Sequence, residues 1–272
     1  MIVKYRDRRD NYYDTKIFKN TVVAKSSTNI ATFVISKKII EQANKHLNVY
    51  KICGHSRYVL LGLLLISPYL LIFPIITTLL CLYMKNYSTV NLSYKMNTLQ
   101  KNAFAQQLSS VKKIMASQKI SWVKSQSKVF ESRYEAGAGK VWDTVPCKIV
   151  SQPPFPFSTN LRVLSIQTKQ QSVTFFPDKI IIISNDHIVD VPYDGIHYEY
   201  EDFNFIENDW VPKDTTVVGS TWRYVNNDGS PDRRFKNNKR LPICGYGKLK
   251  ITSKTGLNIC LIFSNRSLWI SA

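Results

Sequence analysis

The residues best suited to chemistry in this chain lie in one short stretch, 232–240 (DRRFKNNKR), where Arg233, Arg234, Lys236, Lys239 and Arg240 surround Phe235. Guanidinium and ammonium groups gathered on a turn beside an aromatic ring suit a phosphate, an inositol headgroup or a nucleic-acid backbone. The plainer use of the same residues is a solvated hairpin loop in which Asp232 pairs with a neighbouring arginine. Trp222, Arg223 and Tyr224 precede the loop in a strand-like segment. Alternation there puts Trp222 and Tyr224 on one face and Arg223 on the other, with Trp222 read as a core residue. The acidic run Glu199, Glu201, Asp202, Glu207 and Asp209 could oppose the basic loop, either within the domain or in a partner.

Covalent and metal chemistry find less support. His187 and His197 are two of four histidines, and neither belongs to an HxxxH pair. There is no GxSxG and no phosphate-binding glycine loop. Pro177-Asp178-Lys179 and Pro231-Asp232 supply half of a nuclease motif and read as turns. The five cysteines (Cys53, Cys81, Cys147, Cys244, Cys260) are odd in number, widely spaced and without a CxxC, so neither a disulfide framework nor a zinc site is indicated. The expectation is no enzyme, no cofactor and no metal.

The elements that must position the basic loop follow from charge and hydropathy. The net charge is +18, and residues 1–130 hold 20 Lys/Arg against only Asp7, Asp10, Asp14 and Glu41. Residues 58–84 contain no charge at all. At about 1.5 Å per residue such a run predicts a membrane-inserted helix, since a bilayer core is ~30 Å thick. Lys38, Lys45, Lys51 and Arg57 precede it and Lys85, Lys95, Lys101, Lys112 and Lys113 follow it, so both flanks favour the cytoplasm. Two readings result: a single kinked span, or a re-entrant wedge turning near Pro68 and Pro74. Lys45, Lys51, Arg57 and Lys85 are the expected contacts with an anionic inner leaflet.

Along the chain, residues 1–30 read as a basic polar arm, with a short strand near residues 21–24. Residues 31–57 read as an amphipathic juxtamembrane helix, carried by Phe33, Ile35, Ile39, Ile40, Ala43, Leu47 and Tyr50. Residues 58–84 are the membrane segment, and 85–120 a basic helical linker with helix-like spacing over 92–129. From residue 121 to 272 the texture turns to β. Strands are predicted near 128–133, 145–150, 161–167, 172–176, 180–184, 188–191, 196–201, 216–225, 243–252 and 257–263, with turns at Asn185-Asp186, Asp194-Gly195, Asn227-Asp228-Gly229 and Thr255-Gly256.

Two stretches carry a resemblance. The run TWRYVNNDGSPDRRFKNNKRLPICGYGKLKITSKTGLNICLIFSN resembles a C-terminal domain of unknown function found in uncharacterised bacterial membrane-linked proteins. Trp122, Tyr134, Ala136, Gly137, Ala138 and the PPFPFSTN segment extend that likeness to roughly residues 95–265. The run SVTFFPDKIIIISNDHIVDVPYDGIHYEYE is similar to the opening meander of bacterial pleckstrin-homology-like and GRAM-like domains. These resemblances imply no established activity.

The combined expectation is an α+β protein. One membrane-inserted helix or re-entrant hairpin, with amphipathic flanking helices, is followed by a mainly antiparallel β-domain, a bent barrel or sandwich, with a pleckstrin-like form as one version of it. The expected function is a membrane-anchored adaptor whose cytoplasmic β-domain recognises a protein or an anionic headgroup through Arg233, Arg234, Phe235, Lys236, Lys239 and Arg240. The alternative is a membrane-tethered nucleic-acid-binding or sensing protein. The expected location is the bacterial inner membrane, and the expected partners are an anionic bilayer and a protein, with nucleic acid as the rival.

Overall fold

Val, Ile, Tyr and Phe alternate with polar residues through the second half of the chain, and this pattern suits a pleated surface with one buried face. In the computed structural model the described residues are 20–23, 35–62, 72–87, 89–128, 140–184, 187–193, 195–226 and 228–267. Their elements run in chain order as β1 (Asn20–Val23), α1 (Lys37–Gly62), α2 (Ile72–Tyr87), β2 (Val90–Leu92), α3 (Thr98–Gln107), α4 (Ser109–Ile114), β3 (Ile120–Lys128), β4 (Lys140–Pro146) and β5 (Lys148–Val150). There follow β6 (Phe157–Thr159), β7 (Leu164–Gln167), β8 (Ser172–Phe175), β9 (Lys179–Ile183), β10 (Ile188–Pro192), β11 (His197–Ile206), β12 (Thr216–Trp222), β13 (Arg240–Thr252) and β14 (Asn258–Phe263).

These elements form two compact units, each assembled from separated stretches of sequence. Described residues within 1–26, 109–148 and 194–272 make one, and those within 27–108 and 149–193 make the other. The first is an antiparallel seven-stranded sheet of order β1-β11-β13-β14-β3-β4, with β12 also paired to β13. Its hub is the long strand β13, whose Tyr246, Leu249 and Ile251 are buried with Tyr198 and Tyr200 of β11 and Ile259, Leu261 and Phe263 of β14. Gly256, at φ +98°, makes the β13–β14 turn in a conformation that favours glycine.

The second unit has a five-stranded sheet of order β10-β9-β8-β7-β5, plus the parallel pair β2-β6. Helix α1 buries Ile40, Ala43 and Leu47, three residues on one face. Asn44 Oδ1 accepts the Ile188 amide at 2.9 Å, fixing the helix to the edge strand β10. Asp178, in the turn between β8 and β9, accepts the Ile35 amide at 2.6 Å and the Tyr94 hydroxyl at 2.8 Å. Burial raises the Asp178 carboxyl above the ordinary aspartate range, while those two hydrogen bonds pull it back down.

The expected membrane-inserted element is corrected here. Among the described residues no helix is long and apolar enough to cross a membrane. The described residues of the uncharged run belong to two helices, α1 as far as Gly62 and α2 from Ile72, and the two pack together. Pro74 occupies the first turn of α2, where its missing N–H costs no helix bond. The uncharged part of α2, from Ile72 to Met84, is only ~20 Å long at 1.5 Å per residue. Pro68 lies outside the described residues.

Two further expectations differ. The helix predicted over 92–129 breaks into α3 and α4 and gives way to β3 at Ile120. Asn97 begins α3 with a capping box, its side chain accepting the Gln100 amide while Gln100 accepts the Asn97 amide. The β-rich region forms two open sheets rather than a closed barrel, and residues 149–193 belong to the unit that contains α1 and α2. The 1–30 arm (apart from β1), Tyr134, Ala136, Gly137, Ala138, Asn185, Asp186, Asp194 and Asn227 lie outside the described residues.

Candidate anion-binding site

The basic loop is a lobe carried between β12 and β13 of the seven-stranded unit. The two strands are in register at its base, Trp222 opposite Arg240, and pairing continues outward as the Arg223 amide donates to Lys239 O at 2.9 Å. Beyond that point a side chain replaces the missing strand. Asn238 Oδ1 accepts the Tyr224 amide at 3.0 Å, and its Nδ2 donates to Tyr224 O at 2.7 Å. Val225, buried, forms an isolated bridge with Pro231. The tip closes with the Gly229 amide donating to Asn226 O at 2.9 Å, Gly229 lying at φ +78°.

Asp232 anchors the second half of the lobe. Its carboxylate is buried and accepts the Arg234 backbone amide at 3.0 Å, Arg234 Nε at 3.0 and 3.1 Å, and Arg234 Nη2 at 2.6 Å. A fork–fork pair of this kind fixes the backbone as well as the charge. Phe235 stacks on Tyr224 with centroids 4.0 Å apart and planes 17° from parallel, and the Arg223 guanidinium sits 5.7 Å from the Tyr224 ring centre.

The lobe therefore holds six cations (Arg223, Arg233, Arg234, Lys236, Lys239, Arg240) against Asp228 and Asp232. Both acids are engaged inside it: Asp232 with Arg234, and Asp228 with the Ser230 amide at 2.9 Å. Arg240 Nε donates to Ser220 Oγ at 2.8 Å. Arg233, Lys236 and Lys239 are exposed and have no acidic partner among the described residues. The turn is thus held by its neutral and paired residues, which leaves three charges for an outside anion. The lobe contains no histidine or cysteine.

The acidic run does not serve the lobe. Glu207, 2% exposed, receives Lys119 Nζ on both oxygens at 2.9 Å, the Tyr246 hydroxyl at 2.7 Å and the Asp209 amide at 3.1 Å. Lys119 also reaches Asp209 at 3.5 Å and lies 5.8 Å from the Trp210 ring centre. Burial, reinforced by Glu207, pushes the Tyr246 hydroxyl well above its ordinary range, so it stays a donor. Glu201 pairs with Lys248.

The remaining candidates are dispersed. Lys45 is exposed and Lys51 half-buried on α1; Arg57 and Lys85 fall in α1 and α2, with side chains outside the described set. All four belong to the five-stranded unit. Burial raises the thiols of Cys147 to about 12 and of Cys244 and Cys260 to about 11, so all three stay protonated near neutrality. His187 donates its amide to Ser184 O at 3.2 Å in the β9–β10 turn, and His197 opens β11 opposite Thr252. No cluster of His, Cys, Asp or Glu suited to a metal occurs among the described residues.

Sequence reasoning located the cations and missed Asn238, which completes the lobe. The signal available was weak: an asparagine that can mimic a strand edge looks the same in sequence as one that merely solubilises a loop. Fold and site together define a two-unit, mainly antiparallel β protein with a basic hairpin lobe. No protein-family model, curated protein or solved structure matches the chain.

Proposed function

We propose that this is a binding protein rather than an enzyme, and that its lobe at 223–240 recognises a phosphate-bearing anionic group such as an inositol headgroup. One observation carries the reading. Arg233, Lys236 and Lys239 project from a turn whose own acids are already engaged, so their charge is available outward. Phosphate oxygens accept several charge-assisted hydrogen bonds at once, which suits a curved set of cations. Phe235 takes one face of Tyr224, which leaves less open ring surface for base stacking than for charge-assisted contacts to phosphate.

The test is titration calorimetry on the full chain with inositol hexakisphosphate, a single-stranded oligonucleotide and inorganic phosphate in parallel. At about 1 kcal/mol per cation, replacing Arg233, Lys236 and Lys239 with Ala weakens inositol-phosphate binding by about a hundredfold. Binding should also fall with added salt. Tight binding to the oligonucleotide alone would replace phosphate-headgroup recognition with nucleic-acid recognition. A wild-type chain that binds no anion, or a triple variant that binds as wild type, would overturn the reading.

A further inference from the structure

Helix α2 presents a surface that the lobe does not explain. Ile72, Phe73, Ile75, Ile76, Leu79, Leu80, Leu82 and Tyr83 are all 45–61% exposed. At about 100° per residue these eight positions cover roughly half of the helix circumference. The opposite half is Pro74, Thr77, Thr78 and Cys81, with Pro74 and Cys81 buried. Ile52 and Tyr58 of α1 add exposed apolar side chains to the same helical pair, at 67% and 65%. An apolar surface of this extent is covered in the working state of a protein.

We infer that the exposed face of α2 docks in the plane of an anionic lipid surface without crossing it. Two observations choose lipid over a second copy. The first is shape: a half-cylinder of apolar side chains exceeds the stripe that one straight helix of a partner can cover, whereas acyl chains and headgroups conform to a convex surface. The second is charge. Between Glu41 and Leu108 the chain carries Lys45, Lys51, Arg57, Lys85, Lys95 and Lys101 and no acid, while residues 58–84 carry no charge. Cations bracketing an apolar ridge complement an anionic headgroup layer and repel a second copy of themselves. The inference stands apart from phosphate recognition by the lobe, which lies in the other unit.

The experiment is co-sedimentation of the full chain with vesicles of phosphatidylcholine plus phosphatidylglycerol, beside vesicles of phosphatidylcholine alone. The wild-type chain pellets with the anionic vesicles and less with the neutral ones. Ile76→Glu combined with Leu79→Glu lowers the partition by about a hundredfold, on the usual worth of two buried aliphatic side chains. Both positions are exposed, so far-UV circular dichroism and inositol-phosphate binding should stay as in wild type. Leu80→Trp gives a second readout that preserves the apolar face: its fluorescence is quenched by brominated phosphatidylcholine mixed into the anionic vesicles. Three results overturn the inference. They are wild-type partition in the double variant, no quenching of Leu80→Trp, and a vesicle-indifferent dimer that the double variant makes monomeric.

Discussion

The lobe depends on an asymmetric ion pair, and the asymmetry predicts which partner matters more. The Asp232 side chain is 4% exposed and that of Arg234 is 68%. Removing Asp232 leaves an arginine that water can solvate. Removing Arg234 leaves a carboxylate that is nearly shut off from water and has lost three side-chain contacts of 2.6–3.1 Å. Breaking a fully buried pair costs about 3–5 kcal/mol, and one exposed partner roughly halves that. Arg234→Ala should therefore destabilise the seven-stranded unit by about 1.5–2.5 kcal/mol. Asp232→Asn keeps volume and an acceptor for the Arg234 amide, so it should cost about 1 kcal/mol. Guanidinium denaturation followed by circular dichroism reads both, provided the slope with denaturant is unchanged. The double variant should cost less than the sum of the two. The functional readout runs the other way: Asp232→Asn removes a negative charge from the lobe and should leave inositol-phosphate affinity equal or higher. Equal cost for the two single variants, or Arg234→Ala within about 0.5 kcal/mol of wild type, would refute the argument that Asp232 organises the lobe.

Two further outcomes test the scaffold. A Cβ on Gly247 would lie 2.6 Å from Phe263 ring atoms and 3.0 Å from Tyr200, whereas the nearest neighbour of one on Gly245 would be the flexible end of the Arg266 side chain, at 2.6 Å. Gly247→Ala should thus lower stability by about 1–3 kcal/mol, several degrees in Tm, and Gly245→Ala far less because the Arg266 side chain can swing aside; equal Tm values for the two would count against the packing argument. Asp178 has a raised folded-state pKa, so the folded unit holds a proton that the unfolded chain gives up first, and stability falls as pH climbs from about 4 through the raised value. Asp178→Asn should flatten that slope in urea titrations run at several pH values, and an unaltered slope would assign the pH dependence to another group.

What the sequence made legible was local. Strands predicted at 172–176, 180–184, 188–191 and 257–263 coincide closely with β8, β9, β10 and β14, because alternation and β-branching act within a few residues. Turn glycines behaved the same way: Gly195, Gly229 and Gly256 all adopt positive φ. The cations of the lobe could be located, since a run such as RRFKNNKR needs no tertiary knowledge to be noticed. Its organisation could not, because Asn238 acts on Tyr224, fourteen residues away, and only the folded register brings them together. The acidic run was likewise ambiguous until Lys119, 88 residues from Glu207, was seen beneath it.

The largest departure concerned residues 58–84, and its cause is instructive. Hydropathy averages over a window and is blind to where a helix must stop. Gly62 and Pro74 sit inside the apolar run, and α1 ends at the first while α2 holds the second in its opening turn. A single kinked span and a re-entrant wedge turning near Pro68 and Pro74 were the two expectations, whereas the described residues of the run lie in two helices that pack together, neither long and apolar enough to cross a membrane. The apolar character did not vanish with the span. It reappears as the exposed half of α2, where Leu79 is 61% open to solvent, the face from which docking on a lipid surface is inferred. Composition thus identified the unusual property of this segment, while its placement on one face of a short helix decided how that property can be used.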